Sequence, residues 1–314
     1  MKNIKFVLST FLLSLCNLCL MACGDDYDFF LEEPINVQVN EKGDSVKYAN
    51  NKEVMLDFNE LSYNNIVIEP SFIIENKIGS SFQGLAIYND YLFQVHNTSN
   101  YIDVYDLKNN SFVFSITKKK EGTVHCNNAD FGPFFYSPDD PFPLLYLEHK
   151  GSEHKTSVYR IVKKDSLYTM TKVQVINFAM CTSAISNNDI ENEFIYVTYN
   201  HDNIKTIARI NFPDINVNNT TIDLESLNVL DRFDVVQGKV LQDATIYKNK
   251  LFQLKGGPGS GEICIYDLLN HKIIFTIDWN EVGMSGEPEG IGWYKDHLVI
   301  SNLDGQVYNI YFVK

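Results

Sequence analysis

The stretch QGLAIYNDYLFQ, at residues 83–94, recurs in modified form further along this chain. A closely related stretch, QDATIYKNKLFQ, occupies residues 242–253, and a third, EGIGWYKDHLVI, occupies residues 289–300. Each copy consists of an apolar run, a short turn containing Asn, Asp or Lys, and a second apolar run. Self-similarity at intervals of several tens of residues is typical of repeat architectures. The sequence therefore predicts a fold built from repeated units.

The residues around the three related stretches predict β-strands. Apolar and polar residues alternate over short stretches, and Asn-, Asp- and Gly-rich turns separate these stretches. Residues 83–116 and 243–277 each divide into four antiparallel strands, which is the content of one propeller blade. Inner strands are predicted to begin near residues 84, 129, 183, 243 and 290. We therefore expect an all-β propeller with five blades, or six if a longer interval contains a degenerate blade.

The last repeat is one strand short. Its three predicted strands lie within residues 290–312, so we expect residues 66–75 to supply the fourth. An N-terminal strand would then close the ring, and closure removes sheet edges that invite aggregation. The propeller domain is predicted to span residues 65–314.

The chain begins with the pattern of a signal peptide. Lys2 and Lys5 precede an apolar run, and LMACG follows at residues 20–24. This ending resembles the lipobox of bacterial lipoproteins, which implies a signal peptide over residues 1–22, lipidation of Cys23 and a tether over residues 23–64. A secreted protein without lipid is the alternative.

The acidic stretch after Cys23, GDDYD at residues 24–28, resembles the surface-export signal of Bacteroidetes lipoproteins. The resemblance implies that the protein is anchored by lipid in the outer membrane and exposed at the cell surface. The periplasmic face of that membrane is the alternative. More generally, the chain resembles the β-propeller surface lipoproteins of Bacteroidetes.

The beginning of the first repeat resembles a second family. SFQGL at residues 81–85, followed by YND at residues 88–90, is similar to the first blade of the five-bladed glutaminyl cyclotransferases. The similarity covers about 25 residues, and the later phrases of that family have no counterpart here. The resemblance implies the propeller fold and does not transfer the activity.

The net charge argues against one class of binding partner, and the cysteine spacing argues against a zinc site. The formal net charge is −14, which argues against nucleic acid as a partner because such partners need basic patches. Beyond Cys23, the cysteines are Cys126, Cys181 and Cys264, with no spacing typical of a zinc site. We expect free thiols, with a disulfide between Cys126 and Cys181 as the alternative. No cofactor and no metal are predicted.

Polar residues recur where the inner strands begin, and loops there surround the central channel of a propeller. The candidate ligand-binding residues are Gln83, His96, His125, Asn127, Asp130, His149, Gln242, Asp243, Glu287 and Glu289. Structural linking of neighbouring blades is the competing interpretation, since strand ends leave backbone groups that need partners.

Two chemical uses of these residues can be considered. The three histidines and Asp130 would bind a divalent metal if they converged. Glu287 and Glu289 would form an acid/base pair with Asp130 or Asp243 across the channel. Neither set has the local spacing of an established motif, and no catalytic residue is assigned.

The sequence favours a binding function. We expect an envelope-anchored propeller that binds a glycan or a protein partner, with contact to the membrane through its lipid. The first alternative is a propeller enzyme (hydrolase, lyase or cyclotransferase) that uses the polar ring. The second is a structural subunit of an envelope assembly. Propellers host all three functions, so the fold does not separate them.

Overall fold

The computed structural model describes residues 38–39, 45–49, 52–54, 58–75, 81–97, 101–118, 126–149, 155–179, 181, 183–201, 204–226, 229–235 and 238–314. The chain forms two compact units, Met1–Tyr48 and Ala49–Lys314. The predicted signal peptide and Cys23 lie outside the described residues and stay predictions.

Short strands occur before residue 65, where the sequence analysis predicted none. In the first unit, β1 (Gln38–Val39) pairs antiparallel with β2 (Ser45–Ala49), with Gln38 opposite Val46. β3 (Lys52–Val54) lies in the second unit, which starts at the last residue of β2, and a 3₁₀ turn (Tyr63–Asn65) precedes the next strand. None of the helical segments in the described part of the chain is long and apolar enough to cross a membrane.

The second unit consists of antiparallel sheets of four strands, which we number 1 to 5 by their inner strands. Sheet 1 contains β5 (Phe82–Tyr88), β6 (Tyr91–His96), β7 (Tyr101–Asp106) and β8 (Ser111–Lys118). Sheet 2 contains β9 (Ala129–Phe131), β10 (Leu145–His149), β11 (Lys155–Lys164) and β12 (Leu167–Ala179). Sheet 3 contains β13 (Ser183–Asp189), β14 (Phe194–His201), β15 (Ile204–Asn211) and, after the additional β16 (Asn219–Asp223), β17 (Asp231–Val235).

Sheet 4 contains β18 (Leu241–Tyr247), β19 (Lys250–Gly257), β20 (Ser260–Asp267) and β21 (Lys272–Asp278). Sheet 5 contains β22 (Pro288–Tyr294), β23 (His297–Asn302), β24 (Gln306–Phe312) and β4 (Ile66–Ile73). β4 pairs antiparallel with β24, with Ile66 opposite Phe312. The N-terminal strand therefore completes the last sheet, as the sequence predicts.

The inner strands β5, β9, β13, β18 and β22 are neighbours in this order, and β22 returns to β5. This arrangement of blade-like antiparallel sheets around inner strands is a β-propeller. Inner strands begin within two residues of the predicted positions. The blade number of the whole ring stays a prediction.

Two edge contacts are not visible in the sequence pattern. The outer strands β8 and β12 pair in parallel, with Tyr168 opposite Ile116, and this joins sheets 1 and 2. β16 also pairs in parallel with β12, so a segment that follows sheet 3's third strand is added to sheet 2. Strand alternation alone does not specify which edge such a strand joins.

Turn chemistry explains the hairpins. Asn89 has φ 52°, and the consecutive pair Lys248 and Asn249 has φ 47° and 57°. Two consecutive residues with positive φ form a type I′ turn, whose twist matches that of paired strands. Between the sheets, aromatic side chains fill the core; Phe93 of β6, for example, meets Phe131 of β9 edge-on at a centroid distance of 4.8 Å.

Glycines in the repeated phrase allow the inner strands to approach each other closely. A Cβ atom at Gly84 would lie 2.4 Å from the Asn127 carbonyl oxygen of sheet 2. A Cβ atom at Gly290 would lie 2.9 Å from the backbone nitrogen of Leu85 in sheet 1. These backbones therefore leave no room for a side chain at either position.

The Gly84→Ala substitution tests this packing. Overpacking of a tight site costs about 1–3 kcal/mol, so we expect the midpoint of urea unfolding to fall. Gly257→Ala is the matched control, because its Cβ atom would meet only Glu287 Oε1 at 3.9 Å. Equal midpoints for the two variants would contradict the packing argument.

Candidate functional site

Three of the polar residues predicted at the starts of the inner strands lie at β-bulges. The register shifts between Leu241 and Asp243 in β18, and between Pro288 and Gly290 in β22. The same irregularity lies between Phe82 and Leu85 in β5. A bulge leaves a residue unpaired and redirects its side chain. Equivalent bulges hold Gln83, Gln242 and Glu289, and all three side chains are buried.

Asp243 links three sheets. Its Oδ2 accepts hydrogen bonds from the backbone N–H of Leu85 in sheet 1 at 3.1 Å and of Ile291 in sheet 5 at 2.9 Å. Its Oδ1 accepts one from the backbone N–H of Ala244 at 2.9 Å. The side chain is fully buried, and this burial raises its pKa well above the ordinary value. Asp243 therefore has the role of a structural link between blades.

Asparagine side chains make similar links. Asn187 Nδ2 donates to the carbonyl oxygen of Ala244 at 2.7 Å, which joins sheets 3 and 4. Asn128 Nδ2 donates to the carbonyl oxygen of Ser186 at 3.1 Å, which joins sheets 2 and 3. The alternative interpretation of the polar ring, in which it cross-links blades, therefore describes much of its observed bonding.

The other residues predicted at this end lie as follows. Gln242 Nε2 donates to Glu287 Oε1 at 3.1 Å, so the structure brings these two together. Gln83 Nε2 donates to the carbonyl oxygen of its neighbour Phe82 at 2.8 Å. Asn127 and Glu289 are buried. Glu287 precedes the start of β22, whereas Asp130 lines a cavity formed mainly by later residues of the inner strands, and their pairing across the channel stays a prediction.

The histidines do not form a cluster in the described part of the chain. His96 is buried in sheet 1, where its Nε2 lies 2.9 Å from Asp103 Oδ2. His125 lies outside the described residues, and of His149 only its backbone at the end of β10 is described. Across the described ranges, no three His, Cys, Asp or Glu side chains are placed to hold a metal ion. Cys126, Cys181 and Cys264 form no disulfide with one another in the described part of the chain, so the alternative Cys126–Cys181 bond is not formed.

A cavity of about 190 Å³ lies at the opposite end of the inner strands. Each inner strand contributes to the lining of this cavity, and the turns after β13 and β18 add to it; the lining residues are 85–87, 129–130, 188–191, 245–248 and 291–293. We call it the end pocket. Of the predicted candidates whose side chains the structure describes, Asp130 alone lines it. The other lining residues were missed because the sequence argument considered the strand starts alone.

Asp130 is a half-buried carboxyl group in the end pocket. Its Oδ2 accepts a hydrogen bond from the backbone N–H of Asn188 at 2.8 Å, which ties sheet 2 to sheet 3. Burial, with a smaller contribution from the charge of Asp189, raises the pKa of Asp130 to about 7. The group can therefore gain or lose a proton near neutral pH.

Asn188 lies beside Asp130 and is only 3% exposed. Its side-chain Nδ2 and Oδ1 have no hydrogen-bond partner among the described residues. Buried polar groups in proteins are nearly always hydrogen-bonded, and leaving one unpaired costs about 1–3 kcal/mol. Asn188 therefore holds one unused donor and one unused acceptor beside the end pocket, on a side chain whose polar atoms are themselves almost inaccessible to solvent.

Two aromatic rings form one wall of the end pocket. Tyr247 and Trp293 stack on each other with a centroid distance of 3.9 Å and an interplanar angle of 8°. Trp293 Nε1 donates to the carbonyl oxygen of Lys295 at 2.8 Å, which fixes the indole. Lys248 Nζ lies over the Tyr247 ring at 5.3 Å. These rings are thus held mainly by contacts within the protein.

No protein-family model matches the chain, and no curated protein matches it either. Solved structures do resemble it. The glutaminyl cyclase of Myxococcus xanthus has a TM-score of 0.50 at 9% identity, covering 79% of this chain and 97% of that one. The chain has the β-propeller fold.

Two further propellers are similar at lower scores. A putative oxidoreductase (glucose dehydrogenase) of Thermus thermophilus has a TM-score of 0.48 at 8% identity, covering 78% of this chain and 99% of that one. The Cps50 (Swd1) β-propeller domain of Myceliophteria thermophila has a TM-score of 0.42 at 10% identity, covering 79% and 100%. At 9% identity, the likeness to the glutaminyl cyclase shows the fold alone.

The raised pKa of Asp130 makes a prediction about stability. Between about pH 4 and 7 the folded protein keeps a proton on Asp130 that the unfolded chain has released. Unfolding then releases protons, so the contribution of this group lowers the free energy of unfolding as pH rises through this window. Asp130→Asn removes the titration.

We therefore expect the stability of Asp130→Asn relative to the unchanged protein to increase from pH 4.5 to pH 7.5. The change should be on the order of a few kcal/mol, since one pKa unit corresponds to about 1.4 kcal/mol. Urea unfolding at several pH values measures it. Parallel pH profiles for the two proteins would show that Asp130 titrates normally.

Proposed function

We propose that this chain is an envelope-anchored binding protein that holds its ligand or partner in the end pocket. The observation that carries the proposal is the side chain of Asn188, which is buried at this pocket with both its donor and its acceptor unused. A ligand that pairs with both groups gains these hydrogen bonds and relieves the cost of leaving them unpaired.

The position of the pocket also supports binding. Ligand sites in proteins are concave, with apolar walls and a few convergent polar groups. Here the walls include Leu85, Ile87 and Ile291, and the polar groups include Asp130 and Asn188. Because five inner strands contribute to the cavity, its shape is fixed by the closure of the ring rather than by one mobile loop.

The envelope part of the proposal depends on the N-terminal sequence. The signal-peptide pattern, the lipobox-like LMACG and the acidic GDDYD stretch support lipidation at Cys23 and display on the outer membrane. A lipid anchor with several acyl chains holds a protein stably at a membrane. Binding at the cell surface would then keep the ligand or partner close to the cell.

A screen of the full chain in detergent tests the binding function. Glycans, peptides and small amines are added one at a time, and a ligand that binds only the folded state raises the unfolding temperature. We expect Asn188→Leu, which keeps the volume and removes both polar groups, to weaken binding of a compound found this way by tenfold or more. Loss of one good polar pair in a buried site corresponds to about that factor.

Asn218→Ala is the matched control, because Asn218 is exposed and far along the chain from the end pocket. It should bind like the unchanged protein. Equal binding by Asn188→Leu would move the site away from the end pocket, and absence of binding by every class would count against the binding function.

A second candidate function is catalysis in the same pocket. It is favoured by Asp130, since a carboxyl with a pKa of about 7 is suited to general acid/base chemistry at neutral pH. On this candidate, Asp130→Asn would still bind a compound from the screen and would no longer convert it. Mass spectrometry of the incubated compound measures conversion, and an unchanged mass with the unaltered protein would exclude catalysis on that compound.

A further inference from the structure

The end pocket carries more negative than positive groups. Asp130, Asp189 and Glu191 line it, and Lys248 is the lysine among its lining residues. Lys248 is exposed, and its Nζ lies over the Tyr247 ring. Asp189 accepts hydrogen bonds from the backbone N–H and the side-chain Nδ2 of Asn192, and both donors are neutral.

The unpaired side-chain atoms of Asn188 are also compatible with a positively charged ligand. Its Oδ1 has no donor among the described residues, and the Asp130 carboxyl lies next to it through the bond to the Asn188 backbone N–H. A cationic nitrogen donor in the cavity would pair with Asp130 and, once the Asn188 amide turns toward it, with Oδ1 as well. Hydrogen bonds from a charged donor to a carboxylate are stronger than bonds between neutral groups. The Nδ2 of Asn188 remains available for a carbonyl oxygen, and a peptide carries one at every residue.

The aromatic wall does not suit a sugar. Sugars are commonly held on an open aromatic face, but Tyr247 and Trp293 cover each other. The Trp293 ring also lies parallel to Phe312, with centroids 6.2 Å apart, inside the core cluster of sheets 4 and 5. The pocket volume of about 190 Å³ is also below the 300–1,000 Å³ typical of sites for drug-sized ligands. It therefore suits one side chain.

An exposed aromatic loop lies beyond β9, the strand that carries Asp130. Phe134, Phe135 and Tyr136 in this loop are between 39% and 48% exposed. Arg160 holds the loop through bonds to both carboxylate oxygens of Asp140, and its guanidinium lies over the Tyr136 ring at 5.1 Å. Because β9 runs into the end pocket, the loop leaves the ring at the pocket end.

We propose that the end pocket binds the positively charged side chain, lysine or arginine, of a peptide segment from a protein partner. The inference rests on the proposed binding function and names the class of partner. The flanking residues of the segment pack against the exposed loop at residues 134–136 and against Ile190, which is exposed at the rim. Asn188 Nδ2 donates to a carbonyl oxygen of the segment.

Short blocked peptides test the proposal on the full chain in detergent at pH 8, where Asp130 is mainly ionised. The probes are acetyl-Gly-X-Gly-amide with X as lysine, arginine, norleucine or glutamate, together with the disaccharide cellobiose. Isothermal titration or ligand-observed NMR measures the affinities. We expect the lysine and arginine peptides to bind at least tenfold more tightly than the norleucine peptide, and the preference to weaken in high salt.

Three pocket variants and one control show which residues cause the preference for the cationic peptides. Asp130→Asn and Asn188→Leu should each remove most of it, whereas Asp139→Asn, an exposed carboxylate outside the pocket, should retain it. Glu191→Gln changes an exposed rim residue without altering the core, so it serves if either buried variant fails to fold. We expect it to weaken the lysine peptide about two- to fivefold, as for an exposed ion pair.

The outcomes separate the two proposals. Binding of norleucine, glutamate or cellobiose as tight as that of lysine, lost in Asn188→Leu, would overturn the cationic class and leave the binding function in place. A lysine preference that survives Asp130→Asn, Asn188→Leu and Glu191→Gln would place the cation elsewhere and overturn this inference. No binding of any probe, and none in the wider screen, would overturn both.

Discussion

The Asp243 carboxylate is the contact on which the ring of inner strands depends. It reaches from sheet 4 to backbone N–H groups in sheets 1 and 5, so the first and last repeats meet at one side chain. Removing a carboxylate from water costs several kcal/mol, and it is stable only with well-placed donors. Three N–H donors supply them here.

This contact explains how the repeats differ. The position of Asp243 in the fourth repeat corresponds to Gly84 in the first and Gly290 in the last. A Cβ atom at Gly290 would collide with the Leu85 nitrogen, whose hydrogen Asp243 accepts. One copy must supply the carboxylate and the two others must leave space. The three copies differ at this position because each meets a different neighbour: the Asn127 carbonyl at Gly84, the Leu85 nitrogen at Gly290, and both Leu85 and Ile291 N–H groups at Asp243.

The sequence predicts those parts of the structure that are local. Alternating strands, turns at Asn89 and Asn249, and the inner-strand starts all follow from short patterns, and the missing strand in the last repeat predicts β4. The parallel placement of β16 beside β12 depends on long-range contacts, which no short pattern encodes. Asn188 lies in the third repeat, where the common phrase is not recognisable, so the sequence offered no reason to select it.

Asp130 is a candidate because it lies near the start of an inner strand, yet in the structure it lines the end pocket. β9 is only three residues long, so its start and its end are nearly the same place. The carboxyl thereby joins two tasks: its Oδ2 ties sheet 2 to sheet 3, and the group lines the end pocket. A residue that is needed for packing can in this way be part of a site without any separate sequence signal.

The same geometry couples the pocket to the ring. The charges of Asp130 and Asp189 raise the pKa values of their neighbours, and Asp130 acts on Asp243 in this way. A proton bound to Asp130 near pH 7 removes the repulsion between its carboxylate and those of Asp189 and Asp243. A ligand cation in the end pocket would compete with that proton, because both neutralise the same carboxyl. Occupation of the pocket by a cation would then favour the ionised form of Asp130, the residue that also ties sheet 2 to sheet 3.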